Sequence, residues 1–179
     1  MAESRTTKKR IKKLAHKIAE EQVIDELLTT YLNWWTRQEI QNLVAKGTLL
    51  LLPAEHGGGY IIGQFTLRKQ DGYWIAVNQR NGVILTFYDK LASIFYCLFE
   101  YRKMYQKSAE LWNCDSKLRK LDNDQKLYRH KYKIACEQKN GFAQDLWQAR
   151  LSDVTPQLMH AQEQLQKMIN WAKYIKIWD

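Results

Sequence analysis

His56 is followed by Gly57, Gly58 and Gly59 in the stretch EHGGGY, the first place where the chain offers residues that could do chemistry. A histidine ahead of a glycine run supplies oxyanion-hole donors in some esterases, and glycine runs can cradle phosphate with consecutive backbone N–H groups. Either chemistry needs more than the run itself. Ester hydrolysis needs a nucleophile on a GxSxG turn, and no such string occurs; Ser4, Ser93, Ser108, Ser116 and Ser152 fall in tail or helical contexts. Phosphate binding needs a helix N-terminus behind the glycines, whereas Tyr60 opens a strand-like run. His16, His56, His130 and His160 form no HExxH and no ligand spacing with one another or with Cys97, Cys114 and Cys136. The cysteines are odd in number, far apart and without a CxxC, which fits free, mostly buried thiols in a reducing compartment. That compartment is the cytoplasm or, for a viral protein, the host cytoplasm or the virion. The expectation is a non-enzymatic protein with no catalytic residue, no metal site and no cofactor, in which the triple glycine is a mobile turn.

The side chains left with chemistry to do are the cations. The chain has a formal net charge of +9, unevenly placed. Up to Lys17, Arg5, Lys8, Lys9, Arg10, Lys12, Lys13 and Lys17 face only Glu3. Residues 103–139 hold ten cations against five carboxylates, while Glu20, Glu21, Asp25 and Glu26 make the stretch between them acidic. Two separate basic regions suit a polyanion, nucleic acid above all. The plainer alternative is that these charges solvate long helices and bind nothing. The residues expected to meet phosphate are Lys8, Lys9, Arg10, Lys12 and Lys13 in the tail, Arg68 and Arg80 in the strand region, and Lys117, Lys120 and Lys131 in the helical region, with Trp74 as a stacking platform.

These groups must be positioned by regular elements, because only two prolines and eight glycines interrupt 179 residues. Ile11, Leu14, Ile18, Ile24, Leu27, Tyr31 and Trp34 recur at mostly helical spacing. TRQE at 36–39 reads as a capping box that starts a short second helix, closed by Gly47. TLLLL at 48–52 reads as a short buried strand. YIIGQFTLRK, YWIAVN and VILTFY follow as strands, joined by Asp71-Gly72 and Asn81-Gly82, both signals for type I′ hairpin turns. Alternation assigns Phe65, Leu67, Ile75, Val77, Leu85 and Phe87 to one face, and Gln64, Thr66, Arg68, Trp74, Asn78, Thr86 and Tyr88 to the other. The second face is expected to lie under the N-terminal helices; left open, it would offer stacking and cationic groups to a nucleic acid or a protein.

Asp89 is placed to N-cap a helix whose Leu91, Phe95, Leu98 and Met104 cover the apolar sheet face. No glycine or proline then occurs before Asn140-Gly141, and a heptad emerges: Leu111, Leu118, Gln125 and Tyr132 at one seam position, Cys114, Leu121, Tyr128 and Ala135 at the other. Trp147, Leu151, Val154, Leu158, Ala161, Leu165, Met168, Ala172 and Ile175 continue by threes and fours, so the two segments read as an antiparallel helical hairpin. Pro156 falls on its outer side and is expected to kink the second helix or restart it behind Thr155.

The stretch DGYWIAVNQRNGVILTFYDKLASIFYC resembles the strand–strand–helix core of sheet-reading DNA-binding domains such as the arm-binding domains of integrases. The resemblance rests on Gly72-x-Trp74, on Thr86-Phe87 and on Ala92, and it implies DNA contact through the exposed face of a three-stranded sheet. This chain lacks the dense arginines of those sheets, with Arg68, Lys69 and Arg80 as its basic candidates.

The expected architecture is therefore α+β: N-terminal helices, a three- or four-stranded antiparallel β-meander and a long C-terminal antiparallel helical hairpin. Residues 1–17 form a basic tail and the start of the first helix, 18–104 a helix-plus-meander core, and 105–179 the hairpin. The expected function is that of a basic nucleic-acid-associated or architectural protein, with the hairpin as a surface for a partner or for self-association into a homo-oligomer. The alternative is a structural or assembly protein, such as one of a virus particle, binding other proteins through hairpin and tail. No membrane is expected as partner: the longest apolar runs, GTLLLL and LASIFYCLF, are far short of a span, and no apolar segment of a secretory signal follows the basic N-terminus.

Overall fold

A computed structural model describes residues 59–174 continuously and, before them, residues 8–10, 12–14, 17, 21, 38, 41, 42, 45, 46 and 49–51. Five antiparallel strands lie side by side in chain order: β1 (Leu49–Leu51), β2 (Tyr60–Ile62), β3 (Phe65–Gln70), β4 (Tyr73–Asn78) and β5 (Ile84–Phe87). The meander is longer than expected because YIIGQFTLRK is two strands. Gly63, with φ 56°, lets the chain fold back after Ile62, so that Ile62 pairs with Phe65 across a two-residue turn. Asp71 and Gly72 have φ of 51° and 83°, the pair of positive values that the type I′ turn demands. Asn81 is not among the positive-φ residues. The β4–β5 connection is a longer loop closed by Asn78 and Val83, in which only Gly82 is left-handed, at φ 72°.

Turn length decides which side chains share a face, and it overturns the assignment made from alternation alone. A two-residue turn joins residues three apart, so facing residues on the two strands have opposite parity. Phe65 therefore faces Asn78, Leu67 faces Ala76, and Lys69 faces Trp74. Trp74 in turn faces Phe87, and Ala76 faces Leu85. The inner face is built from Tyr60, Ile62, Phe65, Leu67, Trp74, Ala76, Asn78, Leu85 and Phe87. Ile75 and Val77 instead join Thr66, Arg68 and Thr86 on the other face.

Helix α1 (Lys90–Tyr101) lies on the inner face. Asp89 caps it: its carboxylate accepts from the Ala92 N–H at 2.9 Å. Ala92, Ser93, Ile94, Phe95, Cys97, Leu98 and Phe99 are all buried, most of the way round the helix, because the sheet covers one side and the following helices the other. The chain then breaks where no glycine or proline marks it. Lys103 adopts φ 59°, its N–H bonds the Glu100 carbonyl at 3.0 Å, and the Met104 N–H bonds the Phe99 carbonyl at 2.8 Å. This is a Schellman closure with lysine at the position that glycine usually fills. Met104, expected within the helix, is instead the N-cap of the next one.

Helices α2 (Tyr105–Glu137) and α3 (Gly141–Tyr174) form the expected hairpin, each arm about 50 Å long. Leu111, Leu118, Leu121 and Ala135 on α2 and Val154, Leu158, Ala161, Leu165, Ile169 and Ala172 on α3 are buried. Tyr128 stacks on Trp147 at 5.8 Å, and the buried Gln125 donates to the Thr155 hydroxyl at 3.2 Å. Helix α3 runs through Pro156 without restarting. Pro156 is exposed, so the carbonyl it leaves without a donor faces water. At the tip, Lys139 repeats the Lys103 geometry with φ 51°, and Asn140 caps α3 by accepting from the Ala143 N–H at 3.1 Å. A left-handed lysine costs more than a left-handed glycine. Replacing the exposed Lys139 with glycine is therefore expected to stabilise the fold by about 0.5–1 kcal/mol, read as a higher urea midpoint. A lower midpoint would contradict the strain assigned to this turn.

The first half of α2 is part of the core. Asp115, fully buried, accepts from the Tyr88 N–H at 2.8 Å and the Asp89 N–H at 2.9 Å, tying the β5–α1 junction to α2. Trp112 packs edge-on against Phe87 at 5.1 Å, and the Tyr73 hydroxyl donates to Asn123 at 3.2 Å.

Ahead of the sheet, Lys8–Arg10, Lys12–Leu14, Lys17 and Glu21 are helical and exposed, as are Gln38, Gln41, Asn42 and Ala45. The capping box at 36–39 (apart from Gln38), Gly47, His56 with Gly57 and Gly58, and the covering of the sheet by N-terminal helices lie outside the described residues.

Candidate nucleic-acid interface

Three turns meet at one end of the sheet and border an open cleft of about 510 Å³ lined by Gly63, Gln64, Arg80, Glu100, Tyr101, Arg102, Lys103 and Tyr105. The β2–β3 turn supplies Gly63 and Gln64, and the β4–β5 loop supplies Arg80. The two loops are tied together by the Gln79 N–H, which bonds the Gln64 carbonyl at 2.8 Å. Asn78, buried at the loop entrance, holds Arg80 in place by accepting from its N–H at 2.9 Å. The α1–α2 corner supplies Arg102 and Lys103, with Tyr101 and Tyr105 flanking them. A Cβ on Gly63 would lie 2.8 Å from Tyr101 Cδ2, so the bare turn is what lets the tyrosine ring lie over it. Glu100 is the one carboxylate among the described lining residues, and its side chain is hydrogen-bonded by the Ser108 hydroxyl. Three cations from two loops thus line the cleft together with one engaged anion. Arg80 was legible as a basic candidate; Arg102 and Lys103 were not, because nothing local marks the chain break that brings them to it.

A second set of cations lies along α2. Lys117, Lys120 and Lys131 are exposed and recur, with Asp124 and Leu127 between them, at spacings of three and four, so they share one stripe about 21 Å long. Trp112, Asp115 and the buried seam residues Leu118 and Leu121 lie outside that stripe, and Asp124 lies within it. Lys107 is held by Glu110 at 3.0 Å and Lys126 by Asp122 at 2.6 Å. Lys117, Lys120 and Lys131 make no ion pair with a described residue. Lys8, Lys9, Arg10, Lys12 and Lys13 are exposed on their helical segment.

Arg68 and Trp74 do not share a face. Arg68 sits with Thr66, Ile75, Val77, Ile84 and Thr86 on the outer side of the sheet, where no described residue of the three central strands is buried and Ile84 is 64% exposed. Trp74 turns inward, half-buried, with its ring 6.2 Å from that of Tyr60 and the Lys90 ammonium 5.3 Å above it. The opposite parity across the Asp71-Gly72 turn is the reason. This sheet face therefore presents one arginine among aliphatic and threonine side chains rather than an arginine beside a tryptophan.

The three cysteines are free; Cys97 is buried, Cys114 half-buried and Cys136 exposed. Burial, with Glu110 nearby, pushes the Cys114 thiol up, and burial pushes Cys97 up further. Among the described residues no group of three or more His, Cys, Asp or Glu side chains is placed to hold a metal ion, and no helix is long and apolar enough to cross a membrane. No family model, curated protein or solved structure matches this chain.

Proposed function

We propose that this protein binds nucleic acid through the phosphate backbone, as a non-enzymatic associated or architectural protein. The observation that carries the reading is the Lys117–Lys120–Lys131 stripe, exposed, unpaired with any described carboxylate and fixed on one continuous helix, α2. A lysine stripe on a rigid helix meets a row of phosphates with little ordering cost, and each contact releases condensed counterions. The exposed Lys8, Lys9, Arg10, Lys12 and Lys13 add a second set of the same chemistry.

Binding to a short DNA duplex is then expected to weaken steeply with salt. Replacing Lys117, Lys120 and Lys131 together with alanine should lower the affinity and reduce the slope of log affinity against log salt by about 2–3. Deleting residues 2–13 should act in the same direction. Fluorescence anisotropy across a salt series measures both; slopes that match the wild type would remove the stripe and the tail from the interface.

A second reading, assembly with other protein chains, is favoured by one observation. At the hairpin tip Phe142 is 80% exposed, and Leu146, one turn later on α3, is exposed beside it. Light scattering with and without the duplex separates the two, since assembly alone gives a mass that rises with protein concentration and ignores DNA.

A further inference from the structure

We propose that the cleft between the β2–β3 turn, the β4–β5 loop and the α1–α2 corner is a site for single-stranded nucleic acid, with one unstacked base on Tyr105 and its flanking phosphates on Arg80, Arg102 and Lys103. The proposal rests on the nucleic-acid reading above and goes further by naming the strand state. The cleft, open to solvent and about 510 Å³, is within the size range of small-ligand sites and far too small for a duplex. Its cations come from separate loops, so they surround a ligand rather than line up along a flat track as the α2 lysines do.

The aromatic residue discriminates between single and double strands. Tyr105, the first residue of α2, is 57% exposed at the cleft's edge. An aromatic face can stack only on a base free of its own neighbours, which a single strand offers and the interior of a duplex does not. Tyr101, seated over Gly63, forms the opposite wall.

Lys103 adds an independent observation. It occupies the left-handed position of the α1 closure, at φ 59°, where glycine would sit with less strain. Lys139 has the same strain at the hairpin tip, but at Lys103 the strained residue lines the cleft beside Arg80 and Arg102. The same closure built with glycine would keep the corner and lose the charge.

The test uses the full chain and two labelled probes at one fixed salt concentration: an oligothymidylate of about 20 nucleotides and a duplex of equal length. The wild type is expected to bind the single strand more tightly than the duplex. Tyr105→Ala is expected to weaken the single strand about tenfold while moving the duplex less than about twofold. Lys103→Gly is expected to weaken the single strand while raising the melting temperature, a combination that a purely structural role would not produce. Because Tyr105 is largely exposed and Lys103→Gly relieves strain, neither variant depends on tolerance of a core change. Equal losses on both probes, or none on either, would overturn the single-strand site and leave duplex binding by the α2 stripe standing. A wild type that binds the duplex but not the oligothymidylate would do the same. A wild type that binds neither would overturn both.

Discussion

Replacing Phe87 with alanine is expected to lower the unfolding free energy by about 3–5 kcal/mol. Phe87 has no exposed surface and is the last residue of β5. Its ring lies 5.2 Å from Tyr96 on α1 and 5.1 Å from Trp112 on α2, at 53° and 74° to them. One side chain therefore joins the sheet to both helices that cover it, and its removal leaves a cavity that three separate elements would have to close. Phe87→Leu, which keeps most of the volume, should cost much less. Urea titration followed by tryptophan fluorescence measures both. A Phe87→Ala protein that unfolds within about 1 kcal/mol of the wild type would mean that α2 is not docked on β5 as described.

The second large effect is a pH dependence carried by Asp115. Burial raises its carboxyl from an ordinary 3.8 to about 6, against the stabilising N–H groups of Tyr88 and Asp89; the Asp89 carboxylate adds to the rise and Arg119 opposes it. Between about pH 4 and pH 6 the folded protein keeps the Asp115 proton while the unfolded chain has released it. The folded state binds more protons there, so stability falls as pH rises. Asp115 contributes its full share below about pH 4 and has lost it above about pH 6, a difference of about 3 kcal/mol. Asp115→Asn removes the titration and keeps the shape, with Oδ1 still able to accept from one of the two N–H groups. The measurement is the unfolding free energy of both proteins at intervals from about pH 4 to pH 7, and their difference isolates Asp115 from every other carboxyl group. A flat difference would mean that Asp115 titrates alike in the folded and unfolded chains.

The physical reason that some features were legible in the sequence is that they are local. The Asp71-Gly72 turn, the Asp89 cap on Ala92 and the hairpin behind Asn140-Gly141 each depend on residues within a few positions of one another. The seam from Leu111 to Ala135 needed only helical periodicity. The inward direction of Trp74 is encoded too, in the two-residue length of the Asp71-Gly72 turn, because alternation within each strand does not carry the parity change across the turn. The excess of cations and the lack of an esterase or metal-ligand motif are matters of composition and spacing.

The tertiary structure alone decided which distant groups meet. Periodicity reports which side of an element is apolar but not which neighbour covers it. Asp115 reads as a charged residue between seam positions, and its partners are backbone N–H groups 26 and 27 residues away, which leave no mark in the side-chain pattern. The break after Tyr101 carries no glycine or proline, because a lysine takes up the left-handed conformation, so Arg102 and Lys103 looked like two more cations on a long helix. Only the folding of that corner against the loops at Gly63 and Arg80 makes a cleft of them. A single residue's left-handed dihedral at the junction of two helices is invisible to any pattern read along the chain.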